Sequence, residues 1–152
     1  MIGSAREGFT SDLSAKCKNL STARILVADD FDVFRKLVCS ILKEQTAYQI
    51  VGEAADGKEA VQRAEELQPD LVVLDMSLPD SRGIEVVRRI KVCSPQSKIL
   101  FLATSNDPEL VGDCVHAVVW GHVLKVDVVS ELVNAAKAVL SGQWFVGPQQ
   151  ND

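Results

Sequence analysis

Two adjacent aspartates close an apolar run, Ile25-Leu26-Val27-Ala28-Asp29-Asp30, and a third closes another, Leu71-Val72-Val73-Leu74-Asp75. If the two runs are neighbouring parallel strands, three carboxylates meet at the carboxyl edge of one sheet, where open α/β sheets bind ligands. Carboxylates a few Å apart repel by about 4 kcal/mol per close pair at an effective dielectric of about 20. Such a site favours a hard divalent cation with oxygen ligands, and Mg²⁺ is the usual occupant. Thr104 and Ser105 follow a third apolar run and Lys125 a fourth, so a hydroxyl and an amine share the same rim. The set suits phosphate chemistry. One carboxylate attacks an activated phosphoryl group. The other two hold a metal, while hydroxyl and ammonium take the remaining phosphoryl oxygens.

The elements that must position these groups alternate in period. Strands are expected over 24–28, 49–54, 70–75, 98–103 and 122–125. Val33, Phe34, Leu37, Val38, Ile41 and Leu42 recur at helical spacing and predict a helix over about 32–44. Ala60, Val61, Ala64 and Leu67 mark a second helix between the turn signal Asp56-Gly57 and Pro69. Ile84, Val86, Val87 and Ile90 line a third, after a loop punctuated by Pro79 and Gly83. A weaker helix is expected over 108–118, and a fifth follows Asp127 as N-cap. Five strand–helix pairs with near-continuous apolar strands indicate a doubly wound α/β fold: a five-stranded parallel sheet covered on both faces, with right-handed crossovers.

Length and composition set the remaining bounds. The 152 residues suit one domain, with a loose leader over 1–22, a folded unit over 23–146 and a tail over 147–152. The acidic residues number 21 against 16 basic ones, a net charge of −5, which argues against direct binding to nucleic acid. The four cysteines, Cys17, Cys39, Cys93 and Cys114, have no zinc spacing and suit a reducing cytoplasm. The first ten residues lack the apolar core of a secretory signal. No run reaches the roughly 18 apolar residues of a membrane span.

From Ala23 to about Pro148 the chain resembles a response-regulator receiver domain of two-component signalling. The matching stretches are Ile25-Leu26-Val27-Ala28-Asp29-Asp30, Val51-Gly52-Glu53-Ala54-Ala55-Asp56-Gly57, Pro69-Asp70-Leu71-Val72-Val73-Leu74-Asp75-Met76-Ser77-Leu78-Pro79 and Gly121-His122-Val123-Leu124-Lys125. The stretch Val139-Leu140-Ser141-Gly142-Gln143-Trp144-Phe145 is similar to the end of receivers of the NarL/FixJ type. The resemblance implies a flavodoxin-like (βα)5 fold with strand order 2-1-3-4-5. It also implies that Asp75 accepts a phosphoryl group from a histidine kinase. Asp30 would ligate Mg²⁺ directly, Asp29 mostly through water, and Asp75 and the backbone carbonyl of Ser77 would complete the protein ligands. Thr104 would swing toward the phosphoryl group and Lys125 would pair with it. Ser77 and Asn106 would flank the path of the hydrolytic water. Output would be a population shift in the face built from helix four, strand five and helix five. It would reach a partner protein or a DNA-binding output domain, and homodimerisation through that face is common in the family.

Two departures from the family pattern bear on that output face. His122, three residues before Lys125, stands where Tyr or Phe is usual at the switch position, and it adds a titratable group. The interval from Thr104 to Lys125 is one residue short, and Val118-Val119 replaces the common Gly-Ala, so the end of helix four is remodelled. Other functions compete. A haloacid-dehalogenase-type phosphatase needs a second acid two residues after the nucleophile, where Ser77 stands. A flavodoxin-like cofactor binder needs a phosphate loop where Asp29 and Asp30 would repel the ligand. An interaction module that no longer depends on phosphorylation remains the principal alternative to the phosphoacceptor reading.

Overall fold

The computed structural model describes residues 22–104 and 119–146. The expected leader, the helix over 108–118, Ser105, Asn106 and the tail lie outside the described residues. The elements are β1 (Ala23–Ala28), α1 (Asp32–Lys43), β2 (Tyr48–Ala54), α2 (Gly57–Leu67), β3 (Leu71–Asp75), α3 (Gly83–Cys93), β4 (Lys98–Ala103), β5 (Gly121–Leu124), a 3₁₀ turn (Lys125–Asp127), α4 (Val128–Leu140) and β6 (Phe145–Val146). The sheet runs β2-β1-β3-β4-β5-β6, with every pairing parallel. The expected order 2-1-3-4-5 holds, and β6 extends it by one strand.

Strand alternation sorts the core into two layers. Ile25, Val27, Leu71, Val73, Leu100 and Leu102 face Val38, Cys39 and Leu42 of α1 and Leu132, Ala136 and Val139 of α4. Leu26, Ala28, Val72, Leu74, Ile99 and Phe101 face Ala60 and Ala64 of α2 and Val86, Val87 and Ile90 of α3. Both faces are thus covered, which is why β3 is buried at every residue. Each fully buried Leu, Ile or Phe contributes about 1.5–3 kcal/mol over an exposed one, so burial in these layers, rather than helix propensity, holds the frame.

Several local expectations need correction. Val33 and Leu37 are exposed, because the stripe of α1 that meets the sheet is centred on Phe34, Val38 and Leu42. Asp56-Gly57 begins a helix instead of a free turn: Asp56 accepts from the Glu59 N–H at 2.8 Å, and Glu59 accepts from the Ala55 N–H at 2.9 Å. Asp56 is therefore the N-cap of α2, and Glu59 reaches past it to the N–H of the residue before the cap. Gly83 is the first residue of α3, where a Cβ would come within 3.0 Å of the Met76 backbone. Strand five ends at Leu124, and Lys125 opens the 3₁₀ turn. Asp127 precedes α4 as expected, yet its side chain makes no capping hydrogen bond.

The sixth strand depends on a missing side chain. Gly121 pairs with Phe145 and His122 with Val146. A Cβ on Gly121 would lie 2.4 Å from the Phe145 carbonyl oxygen. The segment is further tied by Gln143 N–H to the Ala138 carbonyl at 2.8 Å and Phe145 N–H to the Trp120 carbonyl at 3.0 Å. Trp120 in turn lies under Lys98, whose Nζ is 4.8 Å from the ring centroid. Gly121→Ala is therefore expected to dislodge β6 while leaving the other strands paired, at a cost of about 1–3 kcal/mol for the overpacked site. Amide exchange of Phe145 rising toward the rate of an open chain would show this; undiminished protection would contradict it.

Candidate functional site

Sheet register brings the distant acids together. In the β1–β3 pairing Ala28 stands opposite Leu74, so the next residues along each strand, Asp29 and Asp75, become neighbours. In the β4–β5 pairing Ala103 stands opposite Leu124, which places Thr104 and Lys125 next to each other at the same edge. Asp29, Asp30 and Asp75 present carboxylate oxygens that all lie within 4.8 Å of one another. Asp29 and Asp75 are buried and Asp30 is exposed, so the cluster has one open side.

Lys125 supplies the countercharge. Its Nζ lies 2.9 Å from Asp29 Oδ2 and 3.2 Å from Asp75 Oδ2, bridging the two buried acids. Phe34 of α1 packs against the ammonium, its ring centroid 4.8 Å from Nζ, a distance at which the ring face attracts a cation. The second oxygen of each acid is held by the chain that follows it. Asp29 Oδ1 accepts from the Phe31 N–H at 2.8 Å, and Asp75 Oδ1 from the Ser77 N–H at 3.0 Å. Among the described residues Asp29 Oδ2 meets no donor besides the Lys125 ammonium.

Burial pushes the Asp75 carboxyl above its ordinary range, and the Asp29 charge adds to the rise against the Ser77 N–H and Lys125. Burial also works against the Lys125 ammonium, but Asp29 and Asp75 outweigh it and raise that group's pKa. Each charge is thus tolerable because of the other, and removing either leaves a desolvated ion behind. The donor set is all oxygen, crowded and short of cations. Three acids that share one ammonium, with exposed Asp30 on the open side, fit a hard dication.

Two contributors were invisible in the sequence. Arg35 of α1 donates from Nη1 to the Asp29 backbone carbonyl at 2.8 Å and from Nε to Glu53 Oε1 of β2 at 2.8 Å, and it also contacts Asp32. This brace fixes the backbone from which Asp29 projects. The Arg35 hydrogen bond holds the Glu53 carboxyl below the usual carboxylate range. A charged residue inside the strand run 49–54 was the one available signal for Glu53; Arg35 is an ordinary helix residue until its tertiary neighbours are known. Ser77 and Thr104 are exposed, and His122 is half-buried within β5, in register with Phe101 on one side and Val146 on the other.

Comparison with known proteins yields a consistent set. Residues 25–137 match the family model described as the response regulator receiver domain. A protein described as a transcriptional regulator in Pseudomonas aeruginosa is 39% identical over 120 residues, covering 79% of this chain and 58% of its own length. The response regulator protein VraR of Staphylococcus aureus is 32% identical over 128 residues, covering 84% of this chain and 61% of its own length. The chain therefore spans about three-fifths of these two relatives. Among solved structures, a LuxR-family two-component response regulator from Aurantimonas sp. SI85-9A1 superposes with a TM-score of 0.76 at 34% identity, over 82% of this chain and 89% of that one. The NarL signal receiver domain of Mycobacterium tuberculosis gives 0.75 at 26% identity, over 81% and 99%. With a doubly wound sheet in this strand order and a sequence match across most of its length, the chain belongs to the response regulator receiver domain family of two-component systems.

Proposed function

We propose that Asp75 accepts a phosphoryl group from a histidine kinase in a reaction that requires Mg²⁺. The observation that carries this reading is the Lys125 ammonium set between two buried carboxylates at the open rim of the sheet. Asp75 Oδ attacks phosphorus as the P–N bond to the kinase imidazole breaks, and the departing nitrogen keeps the electron pair and takes a proton. The nucleophile must be ionised, and burial opposes ionisation. Lys125 and the Ser77 N–H work against that penalty by stabilising the anion. Once phosphorylated, Asp75 bears oxygens that Lys125 can pair with, and Thr104, its neighbour across the β4–β5 edge, supplies a hydroxyl.

Asp29, Asp30, Asp75 and the Ser77 carbonyl are the proposed metal ligands. Held by these residues, Mg²⁺ would supply positive charge to offset the negative charge developing during phosphoryl transfer. The change reaches His122 at the switch position through the Thr104–Lys125 edge. Output goes to a downstream partner protein or to a DNA-binding domain carried by a longer form, in the cytoplasm. Self-association of the output face is part of the same proposal. Among the described residues no helix is long and apolar enough to cross a membrane.

Asp75→Asn is expected to abolish incorporation from acetyl phosphate with Mg²⁺, read as loss of the phosphorylated species by intact-mass spectrometry, and EDTA is expected to do the same to the parent. Labelling of the asparagine variant at the parental rate removes Asp75 from the nucleophile role. Lys125→Ala leaves two buried acids without their countercharge and is expected to cost about 3 kcal/mol in metal-free buffer. Because a dication can replace the lost charge, millimolar Mg²⁺ should raise the melting temperature of this variant more than that of the parent. Equal shifts in a thermal melt would count against Lys125 and the metal serving the same acids.

A further inference from the structure

The loop joining β3 to α3 carries Ser77, and its far end is bound to a different part of the molecule. The Asp80 carboxylate accepts from the Gly57 N–H at 2.6 Å through Oδ1 and from the Lys58 N–H at 3.0 Å through Oδ2. Those are the first two N–H groups of α2, which have no partner within the helix. The third, on Glu59, is taken by the side chain of Asp56, the helix's own N-cap. The helix thus divides its free donors, one for itself and two for a loop that lies 22 and 23 residues further along the chain. Charge assistance and the helix dipole both favour an anion there, and the two N–H bonds hold the Asp80 carboxyl below its ordinary range.

Gly57 is shaped for this contact. A Cβ on it would lie 3.0 Å from Asp80 Oδ1, 3.1 Å from Ser81 Oγ and 2.9 Å from Val86 Cγ2. The glycine has no positive φ, so its use here is space: it lets the loop and α3 close onto the start of α2. At its near end the same loop is fixed by Met76 N–H on the Leu102 carbonyl at 2.9 Å. Ser77 sits between these two anchors, with its N–H on Asp75 Oδ1.

We infer that Asp80 is a positioning residue, whose bond to the start of α2 holds the 76–80 loop so that Ser77 keeps its N–H on Asp75 and presents its carbonyl to the metal. The inference rests on the proposed metal reading for the carbonyl and on the geometry alone for the N–H. An anchored loop gives up little freedom when the ligand binds, whereas a released one must be ordered at that moment.

The test uses the full chain and three variants. Asp80→Ala removes both acceptors. Asp80→Asn keeps one oxygen for the Gly57 N–H. Asp56→Ala removes a cap from the same helix without touching the loop. In metal-free protein, Asp80→Ala is expected to speed amide exchange at Ser77 by about tenfold, the signature of a locally opened segment. Its Mg²⁺ dissociation constant should rise by about tenfold, the low end for losing a group that orients a ligand. Asp80→Asn should recover part of both effects. Asp56→Ala should lower the melting temperature and leave Ser77 exchange and Mg²⁺ affinity at parental values. Parental exchange and affinity in Asp80→Ala overturn the inference. Equal losses of affinity in Asp56→Ala and Asp80→Ala also overturn it, because they assign the effect to helix stability. A parent that binds no Mg²⁺ at millimolar concentration sinks the metal reading, and Ser77 exchange still judges the loop.

Discussion

One ammonium between two desolvated carboxylates governs this molecule. Asp29 and Asp75 lie on adjacent strands at positions where a buried acid is costly, and neither is tolerable without the Lys125 charge. That requirement explains features that otherwise look separate. The 3₁₀ turn at Lys125 ends β5 where its side chain can reach back across β4 to the acids. Phe34 closes the ammonium against α1, and Arg35 pins the Asp29 backbone from the same helix. The frame is apolar and two-layered, yet its fine geometry at the carboxyl edge is electrostatic.

The site also shows how a charged cluster can be stable and reactive together. Asp75 is protected from solvent and held at Oδ1, and among the described residues its Oδ2 pairs with the Lys125 ammonium. Asp29 Oδ2 shares that same ammonium and meets no other donor among the described residues. Incomplete satisfaction of buried oxygens is unfavourable in a resting protein, and exposed Asp30 leaves the cluster open on one side. The supporting bonds from Phe31, Ser77 and Arg35 hold the acids' other oxygen or backbone in place.

Much of this was legible in the residues themselves. Apolar runs ending in Asp29 and Asp75 implied parallel strands with acids at one rim, and sheet register then makes the two acids neighbours. Helix existence followed from period, but which side of α1 would be buried did not: six apolar positions span more of the helix than the sheet can cover, so Val33 and Leu37 stay exposed. Asp56 reads as a turn residue in the sequence and caps α2 in the structure, because aspartate serves both roles. Strand β6 has two residues and no period to detect. Arg35, Glu53 and Asp80 act through partners 18 or more residues distant or through a backbone carbonyl, and nothing in local spacing marks them.

The short strand β6 has a consequence for how molecules of this chain meet one another. By occupying the margin beside β5 it consumes hydrogen-bonding groups that a foreign strand could otherwise recruit. The opposite margin, β2, is guarded by other means. Val51 is skipped in the pairing between Ile25–Ile50 and Leu26–Gly52, a bulge that bends the border, and the Glu53 carboxylate sits on it near Arg35 and Lys36. Bulges and charges at a sheet border discourage strand-on-strand growth. Among the described residues, each border of the sheet thus carries a feature that disfavours strand-on-strand growth, a two-residue strand at one and a bulge with a charge at the other.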